Sequence, residues 1–172
     1  PFFVEEVIQP GEIQALKAIK GKITCPLATG ERLVSFAEYE PYFQERAIDI
    51  AQPDLCHWGG FTEAIRIGAA AAIAGIGIAP HNPLGPIAGV AAIHYDFATP
   101  NFIIQEKMDA VPWFYDIVEG QPECVNGYIS ISDKSGLGIE VNEKMAARYP
   151  FKQEPTHVIE AARLVDGTVV HW

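Results

Sequence analysis

Cysteine is scarce in this 172-residue chain: Cys25, Cys56 and Cys124 are odd in number and far apart. No CxxC and no Cys/His cluster occurs, which argues against a zinc ribbon or a disulfide scaffold. The three are expected to be reduced packing residues of a cytosolic protein. Positive charge is also short, with 12 Lys and Arg against 22 Asp and Glu, a net charge of −10 and no basic cluster. Nucleic acid and anionic membrane surfaces are therefore poor partners. The longest apolar run, Ile67 to Pro80, is too short and too rich in Ala and Gly to span a bilayer. No GxSxG, P-loop, HExxH or internal repeat is present. The first residues carry no basic n-region, so a cytoplasmic location is expected. There is no initiator Met, and Pro1 leads straight into Phe2-Phe3-Val4, as in a chain cut at the edge of an element. The 172 residues are accordingly expected to belong to something larger.

A hydrophobic fraction of 49% and a charged fraction of 20% suit a globular domain with a substantial core. The chain is organised around residues 75–86. An Ala-rich run ends at Gly75, Ile76 to Ala79 reads as a strand, and Pro80-His81 stops it. A Pro/Gly turn follows, then an apolar helix over Ile87 to Phe97. Around this unit the same alternation repeats. Phe2 to Val4, Pro26 to Thr29, Ile48 to Ala51 and Asn101 to Ile104 read as strands. Ile13, Leu16 and Ile19 fall at helical spacing. Ser35 is placed to cap a helix to Arg46, with Glu38 completing a capping box. Gly59-Gly60 opens a helix through Ala74.

The strand ends deliver Glu5, Glu31, Asp54, His81 and Glu106, successively 26, 23, 27 and 25 residues apart. Each interval fits one βα unit, and right-handed units place all five ends on one rim. Five units of this kind predict the C-terminal part of a (β/α)8-type barrel over 1–106. From Lys107 the pattern changes to α+β. Val111 to Val118 is irregular, Tyr128 to Ile131 an exposed strand, Gly136-Leu-Gly138 a turn and Asn142 to Arg148 a short helix. Asp166-Gly167 marks a hairpin. This second region, 107–172, is expected to pack against something other than the barrel helices.

Two carboxylates on neighbouring strand ends, Glu5 and Glu31, suit a hard divalent cation such as Mg²⁺. The alternative is that each caps a helix or is simply solvated. His81 lies one unit after Asp54. A carboxylate on one imidazole nitrogen fixes the tautomer and leaves the other as a general base, whereas a satisfied structural histidine is the plainer reading. Glu106 is placed to hydrogen-bond a substrate oxygen. His57, His94, His157 and His171 lack such settings and read as structural.

Val4-Glu5-Glu6, Ala28-Thr-Gly-Glu-Arg-Leu33, Gln52-Pro-Asp54 with Gly59-Gly60, Pro80-His-Asn-Pro-Leu-Gly-Pro86 and Gln105-Glu106 together resemble the enolase superfamily. The resemblance is to its mandelate racemase branch, and most to acid-sugar dehydratases of the D-galactonate dehydratase group. It implies a modified (β/α)7β barrel with Glu5 and Glu31 as Mg²⁺ ligands. His81 would remove the proton α to the substrate carboxylate, with Asp54 as its partner, and Glu106 would hydrogen-bond that carboxylate. Glu31, His81 and Glu106 would then all meet the substrate, a small acid sugar. Elimination of the C3 hydroxyl would give a 2-keto-3-deoxy acid. A racemase, an epimerase, another sugar-acid dehydratase or a non-catalytic remnant are the alternatives. Homo-oligomers are usual in this superfamily.

Val7 stands where the superfamily's Glu-Glu-Pro has proline, which removes no ligating atom. The resemblance also implies a third carboxylate ligand, a second catalytic histidine and an α+β capping domain, all ahead of Pro1. The region 107–172 would pack on that cap. Without those parts, the 172 residues alone are expected to bind Mg²⁺ poorly and to turn over no substrate.

Overall fold

In the computed structural model, residues 1–57, 59–108, 111–153 and 165–166 are described. His157, His171 and the expected hairpin turn at Gly167 lie outside these residues. The first half alternates strand and helix. The elements are β1 (Val4–Glu5), α1 (Ile13–Lys20), β2 (Leu27–Thr29), α2 (Phe36–Gln44), β3 (Ile50–Ala51), α3 (Gly60–Ala74), β4 (Gly77–Ile78) and α4 (Pro86–Ala98). β1 to β4 form one sheet in chain order, and every pair is parallel. The expected fifth strand is reduced to one parallel bridge between Ile78 and Phe102. The Ile78 N–H donates to Asn101 O, and the Ile103 N–H to Ile78 O, at 2.9 and 2.8 Å. Ile103 and Ile104 are half-exposed, and among the described residues this segment is an edge of the sheet.

Local chemistry sets the helix ends. α3 is capped by Gly59 and Gly75, with φ +99° and +73°, a region costly for any residue with a Cβ. The Ile76 N–H returns to Ala71 O at 2.8 Å, the Schellman closure that turns the chain into β4. The capping box expected at Ser35 is not made: the serine side chain makes no cap bond, and Glu38 accepts from the N–H of Val34, the residue before the cap, at 2.7 Å. Ala64, Gly68 and Ala71 give α3 a flat buried face. Across it the Tyr95 hydroxyl of α4 donates to Ala64 O at 2.9 Å.

The strand period of two divides the sheet's faces. Leu27, Ala51 and Ile78 face the helices and join Tyr39, Ile48, Ile67 and Tyr95 in the main core. Ala28, Ile50 and Ala79 form a separate cluster with Phe3. By register Glu5 is level with Ala28 and Ile50, and Gln52 and His81 follow two residues after Ile50 and Ala79. The same alternation that buries small apolar residues in mid-sheet therefore puts polar residues at its C-terminal end.

The second region contains β5 (Val118–Glu119), β6 (Cys124–Val125), β7 (Tyr128–Ile129), β8 (Glu140–Val141) and α5 (Glu143–Ala146). β5 pairs antiparallel with β8. β6 and β7 form a hairpin across Asn126-Gly127, both at positive φ. Contrary to expectation, this region lies on a barrel helix. His94 Nε2 of α4 is 3.3 Å from Leu137 O, and Phe114, Gln121 and Pro122 line one cleft with Gly89, Val90 and Ile93. Phe114, buried in that cleft beside Val90 and Ile93, supplies apolar contact between the two. The cysteines are free thiols, but Cys56 and Cys124 are exposed and Cys25 half-buried, so they are not core packing residues. No described helix is long and apolar enough to cross a membrane.

Candidate active site

Glu5, the last residue of β1, is exposed and accepts from Gln52 Nε2 at 2.7 Å. The two strands involved flank β2. Gly30, level with Gln52 in the register, presents no side chain between them. A Cβ there would collide with the Tyr39 hydroxyl and lie 2.9 Å from Gln52 N. The φ of +147° at Gly30 also demands glycine. Gln52 Oε1 is buried with no partner among the described residues, an acceptor facing unsatisfied space beside Glu5.

Glu6 does different work from its neighbour. Its φ is +49°, and its carboxylate accepts from the Thr29 hydroxyl, the Gly30 N–H at 3.0 Å and Arg32 Nε at 2.7 Å. Arg32 also pairs with it at 2.5 Å, both side chains being mostly buried. Glu6 thus ties the end of β1 to the loop after β2 and leaves Glu5 free to face the rim. The pair Glu5-Glu6 was visible in sequence, but its division of labour was not, because it depends on which residue carries the left-handed backbone.

Glu31 is partly buried, and burial raises its carboxyl pKa. His81 pulls it down, whereas Glu6 and Glu5 push it further up, and the net shift is upward. Negative charge is thus concentrated at this end of the sheet. Oxygen donors crowded in this way fit a hard divalent cation, which relieves their repulsion.

His81 bridges two acids. Its Nδ1 is 2.8 Å from Asp54 Oδ2, and its Nε2 is 3.2 Å from Glu31 Oε2. Burial alone would depress the imidazole pKa. The bond to Asp54 and the charges of Glu31 and Glu106 outweigh that, and the net shift is upward. Burial likewise works to raise Asp54. The bonds from His81 and the Cys56 N–H, with His57 nearby, bring it below its ordinary value. Asp54 is 1% exposed, so the imidazole is held by a fixed, dry carboxylate.

Glu106 is exposed and accepts from the Asn82 N–H at 2.7 Å, which fixes it beside the residue after His81. The rim therefore gathers all five expected side chains: Glu5 through Gln52, Glu31 and Asp54 through His81, and Glu106 through Asn82. His57, expected to be structural, is also there. Its Nδ1 meets Glu31 O at 3.1 Å, its Nε2 is 3.7 Å from Asp54 Oδ2, and its ring centroid is 5.8 Å from that of His81. The three-residue spacing Asp54 to His57 was the available signal.

Residues 1–145 match the family described as Enolase C-terminal domain-like. The chain belongs to that family. Its fold is thus the C-terminal part of the (β/α)8-type barrel of the enolase superfamily, in the mandelate racemase branch. The whole chain is 35% identical to the D-galactonate dehydratase of Xanthomonas campestris pv. campestris (strain B100), over 47% of that protein. It is 34% identical to the D-galactonate dehydratase family member RspA of Pantoea ananatis, covering 98% of this chain and 40% of that one. Among solved structures, an enolase from Pantoea ananatis with bound D-gluconate and Mg superposes with a TM-score of 0.86 at 34% identity. It covers 98% of this chain and 41% of its own. A mandelate racemase/muconate lactonizing enzyme from Jannaschia sp. CCS1 gives 0.84 at 31% identity, over 92% and 40%. The chain spans about half the length, or less, of the relatives it matches.

Proposed function

We propose that this chain is the barrel portion of a Mg²⁺-dependent acid-sugar dehydratase that takes D-galactonate to its 2-keto-3-deoxy acid. The observation that carries the reading is His81, oriented by buried Asp54 and lying within 3.2 Å of Glu31, on the same rim as Glu5. Glu5 and Glu31 would hold the cation, which when bound supplies electrostatic stabilisation of charge developing on the substrate carboxylate.

His81 acts as the base. Asp54 keeps Nδ1 engaged, so Nε2 is the atom that accepts the proton α to the carboxylate, once Glu31 is committed to a cation. Asp54 then stabilises the imidazolium as it forms. Glu106, anchored by the Asn82 N–H, presents its carboxyl to the substrate acid group. The C3 hydroxyl would leave the enediolate as water, its proton supplied by the second histidine that the resemblance implies ahead of Pro1, and tautomerisation of the resulting enol would complete the elimination. The relatives named for D-galactonate dehydration and the Pantoea enolase with D-gluconate and Mg support this substrate class. A cytoplasmic homo-oligomer is part of the same proposal, as is a functional division between the barrel residues 1–106 and the region 107–172.

The test is to incubate the full protein and Mg²⁺ with a panel of aldonates in deuterated water. The expected result is 2-keto-3-deoxy acid from D-galactonate, lost in His81→Ala. Solvent exchange at C2 with no dehydration would instead favour a racemase or epimerase. Absence of both exchange and product with every aldonate would overturn the reading.

A further inference from the structure

The imidazole of His57 is not used in the mechanism above, yet it meets the same buried carboxylate as His81. We infer that His57, Asp54 and His81 form a second, nitrogen-rich metal site that takes a transition metal ion such as Zn²⁺ and, when filled, disables the base. One donor atom from each residue lies within 4.8 Å of the other two.

Three features favour this over a chance cluster. The first is spacing. Around Asp54 Oδ2, His81 Nδ1 stands at 2.8 Å and His57 Nε2 at 3.7 Å. Ligand atoms about 2.0 Å from a tetrahedral zinc lie about 3.3 Å apart, between these two values. The second is the tautomer of His57. Its Nδ1 faces Glu31 O at 3.1 Å, and a carbonyl only accepts, so Nδ1 carries the hydrogen. Neutral His57 therefore has its lone pair on Nε2, the nitrogen turned to Asp54. The third is the outer partner of His81. Its Nε2 lies 3.2 Å from the Glu31 carboxylate, so both imidazoles have the far nitrogen on an oxygen acceptor and the near one facing the site. That outer-shell pattern orients metal-binding histidines. The His57 side chain is 43% exposed, which gives an ion a way in.

Donor chemistry separates this site from the carboxylates. Glu5 and Glu31 offer oxygen alone, which suits Mg²⁺, whereas two imidazoles and a carboxylate favour Zn²⁺. A cation on His81 Nδ1 withdraws electron density from the ring and removes the Asp54 bond that supports its basicity. Zinc would then inhibit without displacing magnesium.

Calorimetric titration of the full protein with Zn²⁺, in millimolar Mg²⁺, tests the proposal alongside imidazole ¹⁵N spectra. The expected result is one equivalent bound at micromolar concentration and not displaced by Mg²⁺, with both His57 and His81 shifted. His57→Asn should weaken Zn²⁺ by at least about tenfold while Mg²⁺ affinity is unchanged, and Cys56→Ser should leave zinc binding intact. Simple competition by Mg²⁺ would place zinc on Glu5 and Glu31 and overturn the inference. Loss of binding in Cys56→Ser, or no shift of the His57 and His81 signals in the unmodified protein, would also overturn it. The spectra need no variant, so a misfolded His57→Asn does not rescue the idea. None of these outcomes bears on aldonate turnover with Mg²⁺ alone, so the dehydratase reading stands or falls separately.

Discussion

Replacing Asp96 with Asn should stabilise the protein increasingly as pH rises above the ordinary carboxylate range. Asp96 sits near the end of α4, 7% exposed, and its Oδ1 has no partner among the described residues. Burial pushes its pKa from 3.8 to about 8. A carboxyl whose folded pKa is raised binds a proton in the native chain that the unfolded chain releases. Stability is thus undiminished below the unfolded value and falls as pH climbs from about 4 towards about 8. At about 1.4 kcal/mol per unit, the cost at neutral pH is on the order of 4 kcal/mol, an upper figure because water entry and local relaxation return part of it. The amide cannot ionise, so Asp96→Asn removes this dependence. Urea unfolding of both proteins at about pH 5 and about pH 8.5 measures it. The variant should gain on the parent mainly at the higher pH. An equal difference at both pH values, or a variant weaker at the alkaline end, would refute the argument that Asp96 is buried as the neutral acid.

Gly30→Ala should destabilise by on the order of 2 kcal/mol or more, since a Cβ meets Tyr39 and Gln52 and the φ is unsuited to alanine; denaturant unfolding checks this. Arg32→Met leaves Glu6 mostly buried without its cation and should cost about 2–3 kcal/mol in the same assay. Asp54→Asn should lower the His81 pKa, read by imidazole NMR. It should also remove two stability contributions. The His81 contribution is present below its ordinary pKa of 6.5 and is lost as pH rises past it; the Asp54 contribution is present above 3.8 and is lost on acidification. Glu5→Gln and Glu31→Gln should each weaken Mg²⁺ binding by at least about tenfold, measured by calorimetry, and unchanged affinity would remove them from the cation site.

The βα rhythm was legible because each unit carries its own local signals: apolar strand, polar end, Gly or Pro turn and amphipathic helix. Gly75 and Pro86 mark helix boundaries by backbone sterics that need no tertiary partner, and the structure keeps them. The rim residues could be read off because parallel units repeat their direction, so Glu5, Glu31, Asp54, His81 and Glu106 share one end by topology. Asn126-Gly127 is an equally clear local hairpin signal, and it turns the chain between two short, largely exposed strands.

What the chain alone could not determine is which partner each polar group finds. Glu5 and Glu6 are adjacent and chemically identical; a left-handed backbone at Glu6 sends one into the Arg32 loop and leaves the other on the rim. His57 resembled any surface histidine until folding set it against Asp54, and Asp96 looked like an ordinary helix acid until packing removed its water. Local sequence fixes strands, turns and direction because those depend on near neighbours along the backbone. Charge state and pairing depend on groups tens of residues away, and only the assembled sheet and helices bring those within hydrogen-bond distance.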